Sequence, residues 1–506
     1  MLGNLTRPLL FLFLLAATAA AQSPSKVLKQ AEKAFGGAKA LRGVTSWRRT
    51  GTIKRLSDGA TGRYEARASA PNLFRESFDV SGFEFERGHN GRSSWARDSR
   101  GGVITLTGDS SLDLQAEAEF RNLLWLDAKK RRARIGSAGT AEVGGRRHNV
   151  LVLGTAKGVS IKLYFDAATG LLTREEFALG DRKRTIDYAD YRNIGSLQHP
   201  HRMSISNGED RFEIALEKFE ANAPIARSEF DFPAAADQPL PDIRGLLAQL
   251  QENEEKVEAI LDKYSYVQKS TRRELGKDGV LRDAGSETVQ LSFYKGYRIR
   301  RLIEKDGRPL TEKDQRDADD DAAERVEEIE KIIAKRDRET QKNGPPDENS
   351  RRVSVAELLR ASNLVNPRRE RFRGRDVIVF DFEPNPSFDY KNAKSMLKFF
   401  GKTAGVMWID EEDKQVARLE AFLADSFKVG GGLLAKLSKG ASFTLEQERV
   451  NDEIWLPSVT NIDLSVRVLL VKGINVNQEI RSYDYRRFET EVKDATVNET
   501  KAPEVN

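Results

Sequence analysis

Residues 159–174 read VSIKLYFDAATGLLTR, and this stretch decides how the first half of the chain folds. Apolar side chains occupy every second position from Val159 to Phe165, and polar or amphipathic side chains lie between them. This alternation predicts a β-strand with one apolar and one wet face. The segment DAATG over 166–170 contains turn residues, so the chain is expected to return as an antiparallel strand.

The second half of the chain repeats this pattern at residues 407–418, MWIDEEDKQVAR. Each half also opens with apolar residues at helical spacing, which begin after Ser25 in the first half and after Asp242 in the second. The repeat is too long for a solenoid unit or a propeller blade. We therefore interpret it as two copies of a whole domain.

Changes in composition divide the chain further. Three prolines between 233 and 241 are typical of a stiff linker. Residues 317–341 are highly charged with a thin apolar seam, which predicts a solvated surface helix ending at Asn343, with a partner-binding helix as the alternative. We predict a signal peptide over 1–21, a first domain over 22–232, a linker over 233–242, a second domain over 243–490 with a charged helical insertion over 312–349, and a disordered tail over 491–506.

The N-terminal residues predict export. Arg7 precedes a short apolar run over 9–17, and small residues follow up to Ala21, the pattern of a secretory signal cleaved after Ala21. The run is shorter than the roughly 20 residues that span a bilayer, although a membrane anchor is the alternative interpretation. The sequence contains no cysteine, which excludes disulfides and favours a bacterial periplasm.

Charge and motifs argue against several classes of function. The 83 basic and 78 acidic residues are interspersed, whereas nucleic-acid-binding proteins concentrate basic residues in patches. The glycines at 430–432 lack the pattern of a phosphate-binding loop, and no nucleotide or other cofactor is predicted. The stretch 429–437 is expected to form either a flexible joint into a short apolar helix or a wide hairpin connection.

No catalytic or metal site is predicted, and we expect the protein not to be an enzyme. His199 and His201 could supply two metal ligands, but no third ligand is evident, and a turn before a strand is preferred. The aspartates at 319–321 lack the spacing of a calcium loop and are interpreted as a solvated helix face. No G-x-S-x-G motif marks a serine nucleophile.

Several turns and strand edges resemble those of a known family. The segments PNLFR over 71–75, NGRSSW over 90–95 and FDAATG over 165–170, together with a mid-domain helix, resemble the LolA/LolB-like periplasmic lipoprotein-carrier superfamily, and most closely its large outer-membrane lipoprotein-sorting-like proteins. The resemblance implies an open antiparallel half-barrel with covering helices and an apolar cavity for acyl chains. The expected fold class is α+β, mostly antiparallel β, with two tandem LolA-like half-open β-barrels.

The expected function is non-enzymatic binding and carriage of a lipid or lipoprotein acyl chain in the periplasm. A membrane-bound envelope protein is a further possible partner. The alternatives are an envelope-stress sensor and a protein-interaction scaffold without a lipid cavity. Alternating apolar residues are expected both in a packed core and in a cavity wall, so the pattern does not distinguish the two. Ten aromatic residues are the candidates for the wall: Trp47, Phe74, Trp95, Trp125 and Phe165 in the first half, and Phe293, Trp408, Phe422, Phe427 and Trp455 in the second.

Overall fold

The computed structural model describes residues 22–98, 102–155, 157–179, 182–208, 210–233, 242–276, 281–343, 355–429, 435–468 and 474–488. The predicted signal peptide, most of the predicted linker, the glycines at 430–432 and the predicted tail lie outside these ranges.

The described part of the first half forms one antiparallel sheet of thirteen strands. The first strand pairs with the last at the centre of the sheet, where Trp47 lies opposite Ala221. The edge strands do not pair with each other in the described residues, so the sheet stays open. In chain order the strands are β1 (Ser46–Arg55), β2 (Thr61–Ser69), β3 (Leu73–Val80), β4 (Phe83–His89), β5 (Ser94–Asp98), β6 (Gly102–Thr105), β7 (Arg134–Val143), β8 (Arg146–Gly154), β9 (Ser160–Asp166), β10 (Leu172–Leu179), β11 (Arg182–Ile194), β12 (Leu197–Asn207) and β13 (Asp210–Ala221), and the order across the sheet is β6-β5-β4-β3-β2-β1-β13-β12-β11-β10-β9-β8-β7.

Helices α1 (Pro24–Ala34), α2 (Ala38–Arg42) and α3 (Gly108–Arg121) cover one face of this sheet. Helix α1 begins after Ser23, so the prediction of Ser25 as its N-terminal residue was wrong. The reason is Pro24, whose fixed φ suits the first helical position. Short 3-10 turns follow at Leu124–Leu126 and Arg227–Phe230.

The second half repeats this topology within its described residues. Its first strand again pairs with its last, and the order across the sheet is β17-β16-β15-β14-β26-β25-β24-β21-β20-β19-β18. The strands are β14 (Tyr264–Leu275), β15 (Leu281–Tyr294), β16 (Tyr297–Lys305), β17 (Arg308–Pro309), β18 (Ser362–Phe372), β19 (Arg375–Pro384), β20 (Thr403–Asp410), β21 (Val416–Leu423), β22 (Phe427–Val429), β23 (Ala435–Leu437), β24 (Ser442–Val450), β25 (Ile454–Val468) and β26 (Ile474–Arg487).

Four helices accompany the second sheet: α4 (Ile243–Leu261), α5 (Glu312–Asn343), α6 (Val355–Arg360) and α7 (Ser395–Phe400). Asp242 caps α4 as its position predicted, since its carboxylate accepts a hydrogen bond from the Gly245 N–H at 3.0 Å. Helix α4 buries its leucines against the inner face of the sheet. Within the described residues, no helix is both long and apolar enough to cross a lipid bilayer.

The charged insertion contains the predicted helix, which extends five residues further at its start and ends at Asn343 as expected. Ala318 and Ile329 are its buried residues, and Asp319 pairs with Arg301 of β16. After the glycine run, Ala435–Leu437 pairs with β25 as a strand. The predicted short helix is therefore wrong for these residues, and they agree with the hairpin alternative.

The two halves meet at a buried polar cluster around Asp381 of β19, whose side chain is fully buried. Asn90 donates a hydrogen bond to Asp381 at 3.1 Å, and Ser93 donates another at 3.2 Å. Arg368 of β18 donates to the same carboxylate at 3.2 Å and to Thr105 of β6 at 2.7 Å. An edge of each sheet therefore contributes to one hydrogen-bonded junction.

A second contact between the halves involves the other edge of the first sheet. Arg132, which precedes β7, forms an ion pair with Asp463 of β25 at 2.7 Å. The Arg134 guanidinium donates a hydrogen bond to the Gly276 carbonyl at 3.3 Å. The architecture is mostly antiparallel β with two open sheets and covering helices, which confirms the predicted fold class.

Candidate functional site

A cavity of about 180 Å³ lies between the inner face of the first sheet and the helices that cover it. Its wall is mainly aromatic and aliphatic, with a few polar side chains. The apolar part consists of Phe35, Leu41, Val44, Trp47, Phe120, Leu123, Trp125, Leu163, Phe165, Leu172, Tyr188, Tyr191, Leu197, Pro200 and Phe219, and the polar part of Arg49, Arg121, Asn122, Gln198 and His199.

Aromatic contacts position the helices α1 and α2, which form the cover of this cavity. Phe35, directly after α1, packs against Trp125 with ring centroids 6.2 Å apart and against Tyr191 at 5.9 Å. The Tyr191 hydroxyl donates to the Leu172 carbonyl, which fixes the ring on the sheet. The cover is therefore held by side-chain packing together with hydrogen bonds to the sheet, among them the one that the Gln198 backbone N–H donates to the Phe35 carbonyl at 3.3 Å.

Trp47 and Arg49 enter the wall from β1, because alternate residues of a strand share one face. The Trp47 indole N–H donates to the Arg121 carbonyl at the end of α3, at 3.2 Å. This hydrogen bond joins the middle of the sheet to the helix. It also fixes the indole as one side of the cavity.

The positive charge of Arg121 is balanced by neighbouring carboxylates. Arg121 donates to Glu117 at 3.1 Å, to Glu175 at 3.1 Å and to the Tyr188 hydroxyl at 2.9 Å. Burial alone would lower the pKa of Arg121, but these neighbours raise it well above its ordinary value. Its charge therefore belongs to the structure that holds α3 on the sheet.

Arg49 has a different environment. It is 6% exposed, and its Nη2 donates to the Tyr64 hydroxyl at 2.6 Å, which in turn donates to Glu76 at 2.8 Å. In the described part of the chain, no carboxylate forms an ion pair with Arg49, and its buried Nε–H has no acceptor. Burial raises the pKa of Tyr64, so the phenol between Arg49 and Glu76 stays protonated.

His199 is the third polar group of interest. Its ring stacks on Phe219 with centroids 3.8 Å apart. Burial, with the nearby charge of Arg49, lowers the pKa of His199 to about 3, so the ring is neutral at ordinary pH. Its buried Nδ1 has no hydrogen-bond partner in the described residues.

His199 and His201 lie within β12, so the predicted turn at this point was wrong. The extended backbone continues through Pro200 because β12 pairs with β11 from Leu197 onwards. The two imidazole rings are 5.8 Å apart, and His201 hydrogen-bonds to the Leu216 carbonyl. Among the described residues, no group of three or more histidine, aspartate or glutamate side chains could hold a metal ion.

Three of the five candidates in the first half line the cavity, namely Trp47, Trp125 and Phe165. Phe74 is fully buried behind Trp47, at a centroid distance of 6.4 Å. Trp95 lies on the opposite face of the sheet, where its indole donates to the Phe230 carbonyl at 3.2 Å.

None of the five candidates in the second half lies in this cavity. Phe293 packs in the core under the end of α4. Trp408 and Trp455 belong to a cluster on the sheet face opposite α4, and the Trp455 indole donates to Asp413 at 2.8 Å. Phe422 and Phe427 are half-buried, and Phe427 contacts Phe399.

The polar part of the wall was not predicted as a site. The alternation of β1 places Arg49 on the same face as Trp47, and this was the signal that could have identified it. His199 was considered only as a metal ligand. For Arg121 the sequence offers only the pair with Glu117 four residues earlier on the same helix, whereas its partners Glu175 and Tyr188 come from distant strands.

Comparison with known proteins gives likenesses at the level of the fold. No model of a known protein family and no curated protein matches the chain. A LolA superfamily protein from Nitrosomonas europaea is 15% identical, with 42% of this chain and 99% of that chain covered, at a TM-score of 0.31. A lipoprotein-sorting protein domain from Vibrio parahaemolyticus is 12% identical, with 41% and 96% covered, at a TM-score of 0.29.

LprF from Mycobacterium bovis is also 12% identical, with 42% of this chain and its whole chain covered, at a TM-score of 0.17. LolA-like structures are thus among those to which this chain is similar, as the sequence resemblance predicted. Each covers a length close to one half of the chain. Identities and TM-scores this low carry no argument about ligands or partners.

Proposed function

We propose that the first half of this protein binds an alkyl or acyl chain in its cavity, without covalent chemistry. The observation that carries the proposal is the wall itself, in which fifteen apolar or aromatic side chains surround about 180 Å³ of space. A cavity of this volume holds on the order of a dozen groups that are each about the size of a water molecule.

The physical driving force is burial of methylene groups. Each methylene transferred from water into an apolar site contributes about 0.8 kcal/mol. The cover formed by α1 and α2 packs on the sheet through Phe35, Trp125 and Tyr191, and we propose that a ligand enters by displacing these side chains. We further propose that binding takes place in the periplasm, as the N-terminal residues predict, and serves carriage between membranes, as the sequence resemblance implies. A protein partner in the envelope stays a prediction.

Uptake of cis-parinaric acid, whose fluorescence rises in an apolar site, tests the proposal on residues 22–506. Leu172 is half-buried in the cavity wall, and Leu172→Trp would place an indole in the space that a ligand needs. Excluding about three methylenes would weaken binding on the order of 50-fold. The hydrogen bond from Tyr191 uses the Leu172 carbonyl, so the substitution leaves it in place.

The matched control is Leu364→Trp, since Leu364 is a half-buried leucine packed on the core of the second half. We expect this variant to bind the probe as the parent does. Failure of the parent protein to take up the probe, or equal binding by the Leu172→Trp variant, would contradict the proposal.

A further inference from the structure

The cavity wall contains two arginines with opposite electrostatic situations. Arg121 donates to two carboxylates and a phenol, so its charge is compensated within the fold. Arg49 has only the Tyr64 hydroxyl, and Glu76 beyond that hydroxyl forms its own ion pair with Arg87 at 2.6 Å. Of the two cations, Arg49 is therefore the one without a directly bound anion.

A buried cation without a directly bound anion is costly, because desolvation is not repaid by a charge-assisted hydrogen bond. Arg49 is 6% exposed, its Nε–H is buried without an acceptor, and its guanidinium lies 5.0 Å from the centre of the Trp47 ring. The guanidinium of Arg49 is part of the cavity wall, as is that of Arg121, whose Nε–H is likewise buried without an acceptor, so the missing anion is what distinguishes Arg49. An anion entering the cavity would supply this counter-charge.

The other polar groups near Arg49 do not compete with it for an anion. His199 is neutral at ordinary pH, because burial lowers its pKa to about 3. Arg49 is buried, whereas wall residues such as Val44, Leu123 and Leu197 are only half-buried. The guanidinium therefore belongs to the buried part of the wall, together with apolar residues such as Leu163 and Phe165.

We infer that Arg49 is a head-group site: it binds the carboxylate or phosphate of a single-chain anionic amphiphile, whose alkyl chain fills the apolar wall. This inference rests on the proposed function and narrows its ligand class. A neutral lipid, or an acyl chain in amide or ester linkage, would leave the Arg49 charge without a counter-anion. A planar guanidinium pairs well with both kinds of anion.

The test compares three ligands of equal chain length on residues 22–506, by displacement of a neutral fluorescent alkyl probe at pH 7.5. Hexadecanoic acid carries the carboxylate, hexadecyl phosphate carries the phosphate, and hexadecanol carries no charge. We expect at least one of the two anions to bind tenfold or more tightly than the alcohol. The stronger of the two identifies the source of the head group.

Two variants separate the charge of Arg49 from its volume. Arg49→Met removes the charge, and we expect it to abolish the preference for the anions over hexadecanol. Arg49→Lys keeps a cation and should retain part of the preference. Hexadecanol binding also reports whether each variant has folded.

Equal binding of the three ligands by the parent protein overturns the inference and leaves the proposed function standing. So does a preference for anions that persists in the Arg49→Met variant. Binding of none of the three ligands overturns the inference and the proposed function together. The comparison among ligands uses the parent protein, so it stays decisive even if a variant fails to fold.

Discussion

At the scale of single residues, the chemistry of the cavity depends on which buried polar groups are paired. Glu117 of α3 receives ion pairs from Arg87 at 3.0 Å, Arg121 at 3.1 Å and Arg184 at 2.8 Å. Burial alone would raise the pKa of Glu117, but the three arginines hold it well below its usual range. One carboxylate therefore balances guanidiniums from two strands and one helix.

Replacing Glu117 by Gln should destabilise the protein strongly, because three guanidiniums would lose a shared anion. Breaking a buried ion pair by removing one partner typically costs about 3–5 kcal/mol. Urea unfolding followed by tryptophan fluorescence measures the change. Glu327→Gln, at an exposed position of α5, is the control and should stay within about 0.5 kcal/mol of the parent.

The neutral His199 predicts a pH dependence of stability. Its pKa is about 3 in the folded state and has the ordinary value of 6.5 when unfolded, so the unfolded chain binds the extra proton between these values. Stability from this group is therefore present above about pH 6.5 and is lost as the pH falls towards 3. A single group of this kind contributes a slope of at most about 1.4 kcal/mol per pH unit.

The variant His199→Phe keeps a ring against Phe219 and removes the titrating group. Its free energy of unfolding should fall less steeply than that of the parent between pH 6.5 and pH 4. Identical slopes for the two proteins would show that His199 does not have the lowered pKa.

At the scale of elements, the sequence predicted strands well where one face is apolar and the other is wet. The stretch 159–174 forms β9, a turn and β10 as its alternation indicated, and Asp242 begins α4. Predictions failed where a backbone pairing decides the outcome. Ala435–Leu437 is a strand because β25, which is distant in sequence, binds it, and the His199–His201 segment is a strand because β11, directly before it in the chain, binds it.

For the candidate site, too, the sequence pattern predicted some positions and failed at others. Alternation identified Trp47 and Phe165 as inward residues and also placed Trp408 and Trp455 among the apolar positions of the second half. Sequence alone could not show that those two tryptophans lie on the face away from α4. Both faces of β20 are buried, so alternation there does not distinguish inside from outside.

Helix α5 is the element that departs most from a compact domain. It pairs with β16 through Asp319 and Arg301, and with the turn before β16 through the ion pair of Glu330 with Lys295 at 2.8 Å. Most of its other side chains are exposed charges. Replacing residues 312–349 by a short Gly/Ser linker should therefore leave the affinity for cis-parinaric acid within about twofold. A large loss in the fluorescence titration would mean that α5 supports the cavity in the first half.

At the scale of the whole molecule, the two halves are joined by hydrogen bonds to one fully buried carboxylate. Asp381 is fully buried and accepts hydrogen bonds from Asn90, Ser93, Asn366 and Arg368, which come from both halves. Such a junction depends on its central anion, because several buried donors from both halves converge on this one carboxylate, although Arg368 also pairs with Glu370 at 2.8 Å.

Asp381→Ala should weaken the junction by about 3–5 kcal/mol, because Arg368 would be left buried without this carboxylate. Calorimetry would then show two unfolding transitions in place of a single cooperative one. Asp389→Ala, at an exposed loop position, is the control and should unfold like the parent. A single unchanged transition for the Asp381→Ala variant would mean that the coupling between the two halves does not depend on this carboxylate.

The two halves share a topology, yet the sequence alone could not show that they differ as binding sites. The inner face of the second sheet is occupied by α4, whose Leu246, Leu247 and Leu250 are buried against it. In the first half, the cover formed by α1 and α2 leaves space above Trp47 and Phe165. The duplicated fold is thus expected to bind ligand through its first copy.

Non-denaturing mass spectrometry of residues 22–506 with hexadecanoic acid tests this central claim most directly, because it counts ligands on each protein molecule. We predict a single bound molecule per chain at saturation, lost in the Leu172→Trp variant and retained in the Leu364→Trp variant. Two bound molecules, or one that survives Leu172→Trp, would place binding outside the described cavity. No bound molecule under conditions where the protein is folded would contradict the account.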